Sequence, residues 1–225
     1  IWMGERDYML QQIKEKLDAG YHCLKMKVGA VDLKTELDIL KAIRAEYAEN
    51  DLEIRVDANG AFSHENVMGT LEHFASLDIH SIEQPIKAGQ EEEMASICAH
   101  TPIPIALDEE LIGITDTQKK ADLLDTIRPQ YIILKPTLVG GFQSANEWIA
   151  LAQLRDIGWW NTSALESNIG LNAIAQWTYT FHNDMPQGLD TGQVFTNNLP
   201  APLQLFGDKL FYNKEVNWDL SLLEW

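Results

Sequence analysis

Basic residues and cysteines are scarce in this chain of 225 residues. Lys and Arg together number 17 against 34 Asp and Glu, which gives a net charge of −17 and an isoelectric point near 4.6. That charge argues against nucleic acid or an anionic membrane surface as a partner. Cys23 and Cys98 are too few for a disulfide framework and lack metal-site spacing, so we expect a reducing cytoplasm.

Several sequence features that would indicate other protein classes are also missing. No apolar run approaches the ~20 residues of a membrane-spanning helix, and no signal peptide is visible. A glycine-rich phosphate loop, a Gly-x-Ser-x-Gly motif and a His/Cys cluster for zinc are absent as well. The hydrophobic content of 45% still suffices for a sizeable core. The chain opens like the end of a strand, so we expect further residues upstream.

Short strand-like runs alternate with amphipathic helical segments at a near-constant period. The predicted strands are 1–4, 21–29, 54–57, 79–83, 103–108, 131–135, 159–164 and 187–190, and the predicted helices are 5–19, 33–48, 63–77, 90–99, 115–127, 142–157 and 169–180. Such alternation predicts an α/β fold with a parallel sheet, and eight units predict a closed (β/α) TIM-type barrel over residues 1–196. A doubly wound open sheet is the alternative, with its chemistry at one switch point.

Three acids each close a short apolar strand and lie about one βα unit apart. They are Asp57, Glu83 and Asp108. Neighbouring strand ends lie about 5 Å apart, so three carboxylates there would repel unless a cation lay among them. Oxygen ligands of this kind suit Mg²⁺, with Mn²⁺ possible. A single acid could instead be a helix N-cap, but three on successive strands favour a metal site.

Lysines interrupt two further apolar strands. Lys25 and Lys27 share one side of their strand, because strand side chains alternate, and we expect both to point into the barrel mouth. A solvent-facing strand is the alternative. Two close ammonium groups lower the pKa of one of them, which suits a general base near pH 7. With Lys135 across the barrel, the set suits proton removal beside a metal-bound carboxylate, through an enediolate.

The order and spacing of these motifs resemble the muconate-lactonizing enzyme branch of the enolase superfamily. The matching motifs are Lys25-Met26-Lys27, Asp57-Ala58-Asn59, Glu83-Gln84-Pro85, Asp108-Glu109-Glu110 and Lys135-Pro136. Within that branch, Arg55 and the segments 135–141, 163–170 and 188–191 most resemble the o-succinylbenzoate synthases of menaquinone biosynthesis. The resemblance implies a (β/α)7β-like barrel and a Mg²⁺-dependent syn-dehydration of a cyclohexadiene carboxylate (SHCHC) to o-succinylbenzoate.

The resemblance also implies a role for each matching residue. The metal ligands would be Asp57, Glu83 and Asp108. Lys27 would be the general base and would return its proton to the departing hydroxyl, while Lys135 would stabilise the enediolate from the opposite face. The substrate-binding residues would be Lys25, Ser163, Ser167 and Asn168. The residues supporting these groups would be Arg55, Asn59 and Glu109.

Family members carry an N-terminal capping domain, which we expect to be missing from this chain, and residues 197–225 would be the C-terminal contribution to that cap. Two other functions stay open. A racemase or epimerase of the same branch, acting on N-acylated amino acids or dipeptides, would use Lys27 and Lys135 as two bases, although only Asp190 matches the Asp-x-Asp of dipeptide epimerases. A non-catalytic scaffold is disfavoured because unused buried lysines are costly. The expected partner is a small-molecule carboxylate, in an oligomeric state left open.

Overall fold

A computed structural model describes residues 1–189 and 194–221 as a parallel sheet with helical crossovers. The strands are β1 (Cys23–Lys27), β2 (Glu53–Asp57), β3 (Ser81–Glu83), β4 (Ile105–Leu107), β5 (Tyr131–Leu134), β6 (Gly158–Asn161), β7 (Leu203–Phe206) and β8 (Lys209–Tyr212). The α-helices are α1 (Arg6–Asp18), α2 (Leu33–Glu46), α3 (His64–Ala75), α4 (Glu91–His100), α5 (Thr117–Ile127), α6 (Gly141–Gln153) and α7 (Asn168–Tyr179). Within these residues, no helix is long and apolar enough to cross a membrane.

Strands β1 to β6 pair in parallel and in chain order, as the barrel prediction requires. Two further segments extend this sheet without forming regular strands. Ile1 exchanges backbone hydrogen bonds with β1, donating to Lys25 at 2.5 Å and accepting from Lys27 at 3.2 Å. At the other edge, Gly188 forms a single parallel bridge with Thr162. The first and last predicted strand positions therefore adjoin the sheet, although Asp190 lies outside the described residues.

The core lies between the sheet and its helices. Ile54 and Val56 on β2 are fully buried, since the outward face of a barrel strand is covered by the helical layer. Helix α3 presents Val67, Leu71 and Phe74 to that core, at the i, i+4, i+7 spacing of one helical face. Ser63 caps this helix as predicted, in a capping box with Asn66. The sequence periodicity of α3 therefore predicts which of its faces packs against the sheet.

The tail that follows the barrel contains an antiparallel hairpin, β7–β8, that the sequence did not lead us to predict. Leu203 and Leu210 of the hairpin pack against a buried cluster that includes Leu171 and Ile174 of α7. The expectation of a tail packing outside the barrel sheet is consistent with this position. Its membership of a capping domain stays a prediction.

Candidate active site

The strand register brings the three predicted metal ligands together at the carboxyl ends of the strands. Lys27 pairs in register with Asp57, and Asp57 pairs with Glu83. Asp108 directly follows β4 and precedes a short 3-10 helix. The three acidic side chains are at most 2% exposed. Burial of three carboxylates requires compensating charge close by.

Lys25 and Lys27 supply part of that charge. The Lys25 ammonium donates to Asp57 Oδ2 at 3.0 Å and to Glu83 Oε2 at 2.5 Å. Lys27 donates to the same Asp57 oxygen at 2.5 Å. The two lysines of β1 point to the same side of the sheet, as predicted, and they meet at one carboxylate oxygen.

Lys135 supplies the remaining charge from the opposite side of the acids. It follows β5, and its ammonium donates to Asp108 Oδ2. The same ammonium lies 3.8 Å from Glu83 Oε1. Glu83 is therefore the central acid, with Lys25 at one of its oxygens and Lys135 near the other.

The arrangement shifts the pKa values of the acids in opposite directions. Burial raises the pKa of Asp57, but Lys25 and Lys27 outweigh burial and lower it to about 2. For Glu83, burial raises the pKa, and the charges of Asp57 and Asp108 add to this against Lys25, so that it reaches about 8. Burial lowers the pKa of Lys25, yet Glu83 and Asp57 raise it on balance. The two carboxylates beside the Lys25 ammonium therefore keep it charged.

The chemistry of these acids fits a divalent cation. Within residues 1–189 and 194–221, no group of three or more His, Cys, Asp and Glu side chains forms a ready metal cluster. Lysine ammonium groups contact the carboxylate oxygens instead. Glu83 Oε1, however, is buried and has no hydrogen-bond partner in the described part of the chain. Such an oxygen favours a nearby cation, and carboxylates are preferred Mg²⁺ ligands, so Mg²⁺ would compete with Lys25 and Lys135 here.

Two predicted supporting residues form a chain of hydrogen bonds that begins at Lys27. Asn59 adopts a positive φ of 44°, and its Oδ1 accepts a hydrogen bond from the Lys27 ammonium. Its Nδ2 donates to Glu109 Oε1 at 2.7 Å. Since Lys27 requires the amide oxygen, the amide nitrogen is left to face Glu109. Lys27 is thus held between Asp57 and Asn59.

Arg55 lies elsewhere in the barrel interior. Its Nε donates to Glu53 Oε1 at 2.6 Å, and its Nη1 donates to the Pro186 carbonyl at 3.1 Å. The guanidinium carbon lies 4.0 Å from the centre of the Trp160 ring. The hydrogen bonds of Arg55 therefore lead away from the three acids, and its support of the metal ligands stays a prediction.

Ser163 lies at the start of the loop that leads into α7. It is buried, and its hydroxyl donates to Glu166 Oε2 at 2.6 Å. The other Glu166 oxygen accepts from the Thr137 hydroxyl, in the loop after β5. Burial raises the pKa of Glu166, but hydrogen bonds from Ser163 and Thr137 lower it on balance. Glu166 therefore joins two loops at the carboxyl ends of the strands.

Ser167 and Asn168 mark the start of α7. Ser167 is the N-cap residue of that helix. The Asn168 side chain donates to the Leu199 carbonyl at 2.5 Å and accepts from its N–H at 3.3 Å. The amide of Asn168 thus holds the chain near residue 199, and substrate contact by this pair stays a prediction.

Sequence reasoning did not single out three polar residues of this region: Gln84, Glu110 and Glu166. Gln84 and Glu110 are buried, and Gln84 has a positive φ of 39°. Their positions in the sequence could have identified them, because each directly adjoins a predicted site residue or lies in a motif on which the family resemblance rests.

The cavity at the opposite ends of the strands has a different character. It measures about 480 Å³, and Glu53, His80 and Pro104 are among its lining residues. Arg44 in its wall donates to four backbone carbonyls. Active sites of parallel barrels lie at the carboxyl ends of the strands, where the acids and lysines meet here, so we assign the site by its charged groups and not by this cavity.

Known proteins provide an independent comparison. The family described as enolase C-terminal domain-like matches residues 8–204. An o-succinylbenzoate synthase of Desulfotalea psychrophila is 56% identical over 210 residues, which are 93% of this chain and 57% of that protein. An L-amino acid-D/L-Glu epimerase of Sulfurimonas denitrificans is 30% identical over 183 residues, which are 81% of this chain and 52% of that protein.

Solved structures agree on the fold. The crystal structure of MenC from Desulfotalea psychrophila matches with 54% identity and a TM-score of 0.87, covering 94% of this chain and 58% of that one. Muconate lactonizing enzyme from Pseudomonas putida matches at 21% identity with a TM-score of 0.81, over 92% of this chain and 57% of that one, which shows a shared fold. The chain therefore spans a little over half the length of these relatives. Its sequence and its parallel α/β barrel place it in the enolase C-terminal domain-like family.

Proposed function

We propose that this chain carries the catalytic barrel of an o-succinylbenzoate synthase, a lyase of menaquinone biosynthesis. The reaction is the syn-dehydration of a cyclohexadiene carboxylate (SHCHC) to o-succinylbenzoate. The observation that carries the proposal is the 56% identity to a synthase over 93% of a chain that contains Lys27, Lys135 and the three buried acids.

The proposal assigns Mg²⁺, with Mn²⁺ possible, to Asp57, Glu83 and Asp108. When bound, the ion supplies positive charge that offsets the negative charge developing on the substrate carboxylate. Sites of the enolase superfamily combine a Lys or His base with one or two Mg²⁺ ions. The buried Glu83 Oε1 without a hydrogen-bond donor supports this assignment.

Lys27 and Lys135 divide the proton chemistry. Lys27, as a neutral amine, takes the proton from the ring carbon that bears the carboxylate, and the C–H electron pair forms an enediolate. The Lys135 ammonium stabilises that charge from the opposite face. The Lys27 ammonium then donates its proton to the hydroxyl on the neighbouring ring carbon, the C–O bond breaks, and water leaves as the ring becomes aromatic. One residue acts on both groups, which accounts for the syn stereochemistry.

The remaining side chains bind the substrate or orient the Lys27 ammonium. Lys25 holds the substrate carboxylate. Ser163, Ser167 and Asn168 line the pocket near the succinyl chain. Asn59 accepts from Lys27 and fixes the direction of its ammonium, with Glu109 behind it. The substrate is a small-molecule carboxylate, and we place the protein in the reducing cytoplasm, where Cys23 and Cys98 stay free thiols.

Metal-dependent aromatisation tests the proposal. The protein containing this chain is mixed with the cyclohexadiene precursor and Mg²⁺, and the product is followed by ultraviolet absorbance. We expect product with Mg²⁺ and none after EDTA. Absence of product from a folded, Mg²⁺-loaded protein would rule out this dehydration as the reaction of the protein.

Racemisation or epimerisation is the second candidate, favoured by the 30% identity to an epimerase and by lysines on two sides of Glu83. In that reaction Lys27 would remove the α-proton and Lys135 would return one from the opposite face. The test uses N-succinyl amino acids and dipeptides in D₂O. Solvent deuterium at the α-carbon, without aromatisation of the cyclohexadiene, would favour this candidate over the dehydratase.

A further inference from the structure

Gln84 directly follows the central acid Glu83 and is fully buried. Its φ of 39° is uncommon for a residue with a side chain and costs free energy. A buried amide must also satisfy two donors and an acceptor. The surroundings of Gln84 therefore have to compensate both costs.

The Gln84 side chain bonds the segment that follows β4. Its Oε1 accepts from the backbone N–H groups of Asp108 at 3.2 Å and Glu110 at 3.3 Å. Its Nε2 donates to the Ile86 carbonyl at 3.0 Å and to Glu110 Oε2 at 2.9 Å. Only an amide offers both an acceptor and two donors in this arrangement.

The backbone of Gln84 adds a bond to β4 itself and extends the connection to the segment that follows β2. Its N–H donates to the Ala106 carbonyl at 2.9 Å, and its carbonyl accepts from Gly60 at 2.7 Å. Gln84 therefore joins the chain ends that follow β2, β3 and β4. Each of these three segments adjoins one of the acids assigned to Mg²⁺.

Glu110 is a buried carboxylate that the proposed mechanism does not use. One oxygen accepts from Gln84, and the other accepts from the Gly89 N–H at 2.7 Å. No ion pair of Glu110 occurs in the parts of the chain that the structure describes. Its negative charge is thus stabilised by hydrogen bonds, and these bonds fix the loop after β3 against the turn after β4.

We propose that Gln84 and Glu110 are positioning residues that set the spacing of Asp57, Glu83 and Asp108 and thereby the affinity for Mg²⁺. The inference rests on the proposed function, because it takes those acids as the metal ligands. Groups that orient metal ligands from behind typically change metal affinity by about 10- to 100-fold when they are altered.

The variant Gln84→Glu tests the proposal with almost no change in shape. It removes both donors and places a second carboxylate beside Glu110. We expect the Kd for Mg²⁺, measured by calorimetry well below the melting temperature, to rise by about 10- to 100-fold. The matched control is Gln153→Glu, which makes the same substitution at an exposed position of α6 and should leave the Kd unchanged.

A double variant separates positioning from a purely structural role. Gln84→Glu with Glu110→Gln returns one amide and one carboxylate to the pair, and we expect it to recover most of the lost affinity. Glu110→Gln alone changes no volume and should raise the Kd several-fold, so it serves if Gln84→Glu does not fold. A purely structural pair would lower the melting temperature and leave the Mg²⁺ Kd equal to that of the unchanged protein, and this result would overturn the proposal.

Mg²⁺ binding by the unchanged protein distinguishes failure of the positioning role from failure of the proposed metal-dependent function. If it binds Mg²⁺ and both variants bind equally well, the positioning role alone is wrong. If the unchanged protein does not bind Mg²⁺, the proposed metal-dependent function fails, and the positioning role fails with it.

Discussion

The two ends of the barrel interior both bury charge, but they neutralise it differently. At the amino end, Arg55 bonds Glu53 and the Pro186 carbonyl and stacks on Trp160. At the carboxyl end, lysine ammonium groups and carboxylates contact one another, with Glu83 Oε1 left without a hydrogen-bond donor. Arg55 has one carboxylate partner, one backbone carbonyl and an aromatic face, although its Nη2 is also buried without a hydrogen-bond partner among the described residues. At the carboxyl end, several ammonium and carboxylate groups share partners, so a ligand can take the place of one of them.

This difference predicts that substitutions at the two ends will change different quantities. Changes at the amino end should lower stability, because they leave a buried group without its partner. Changes at the carboxyl end should alter turnover or metal affinity more than they alter stability. Four predictions test this division.

The largest expected effect is on turnover, from Lys27→Ala. We expect kcat to fall at least about 1000-fold, because general acid–base catalysis contributes roughly 10²–10⁴-fold and the proposed mechanism assigns this residue two proton transfers. Aromatisation of the cyclohexadiene substrate and circular dichroism together measure activity and fold. Lys34→Ala, at an exposed position of α2, is the control and should keep full activity. Substantial activity in the Lys27 variant would remove this residue from the mechanism.

Arg55→Met should mainly reduce stability. Methionine retains the apolar stem of arginine but removes the guanidinium, so the Pro186 carbonyl loses its Arg55 donor and Glu53 keeps only the weak Cys23 thiol donor at 3.4 Å. We expect the free energy of unfolding to fall by about 3 kcal/mol, measured by urea denaturation. Arg155→Met is the control, since its partner Asp125 is 62% exposed, and it should cost less than about 1 kcal/mol. A much weaker Mg²⁺ affinity in the Arg55 variant would show that the two ends are coupled.

Asp57→Asn should mainly reduce metal affinity. The variant removes one of the three negative charges and leaves Lys25 and Lys27 with a neutral oxygen. We expect the Mg²⁺ Kd to rise about 100-fold, the upper end of the range for altered metal surroundings. Asp38→Asn, at an exposed position of α2, is the matched control. An unchanged Mg²⁺ titration would refute Asp57 as a ligand.

The last prediction concerns how the folding stability depends on pH through Glu83, in metal-free buffer. Its folded pKa of about 8 lies above the ordinary value of 4.5, so the folded protein holds the proton more tightly than the unfolded chain does. The contribution of Glu83 to stability should therefore decline as pH rises from 4.5 to 8. Glu83→Gln should remove that decline, because the amide does not ionise, and should be more stable than the unchanged protein at pH 8.

Urea denaturation across that pH range, in EDTA, provides the measurement. Glu92→Gln, at an exposed position of α4, is the control and should follow the unchanged protein. If the stability of Glu83→Gln changes with pH as that of the unchanged protein does, ionisation of Glu83 does not destabilise the folded protein.

Much of the fold could be predicted because its periodicity is local. Helix α3 follows from the spacing of Val67, Leu71 and Phe74, and β2 from the alternation that ends at Asp57. The hairpin β7–β8 was missed because it lies after the regular alternation ends. Its turn contains Gly207, which adopts a positive φ of 61°. A Gly-Asp pair between two short apolar runs indicates such a turn.

The sequence by itself determined which acids and lysines meet at the carboxyl end of the barrel. Parallel strands all end on that side, and their side chains alternate in direction. Only the tertiary structure decided their partners. Arg55 lies two residues before Asp57 but bonds the opposite end of the barrel, and Gln84 joins segments as distant in sequence as Gly60 and Glu110. Hydrogen-bond partners depend on how loops from separate strands approach one another, which no local pattern specifies.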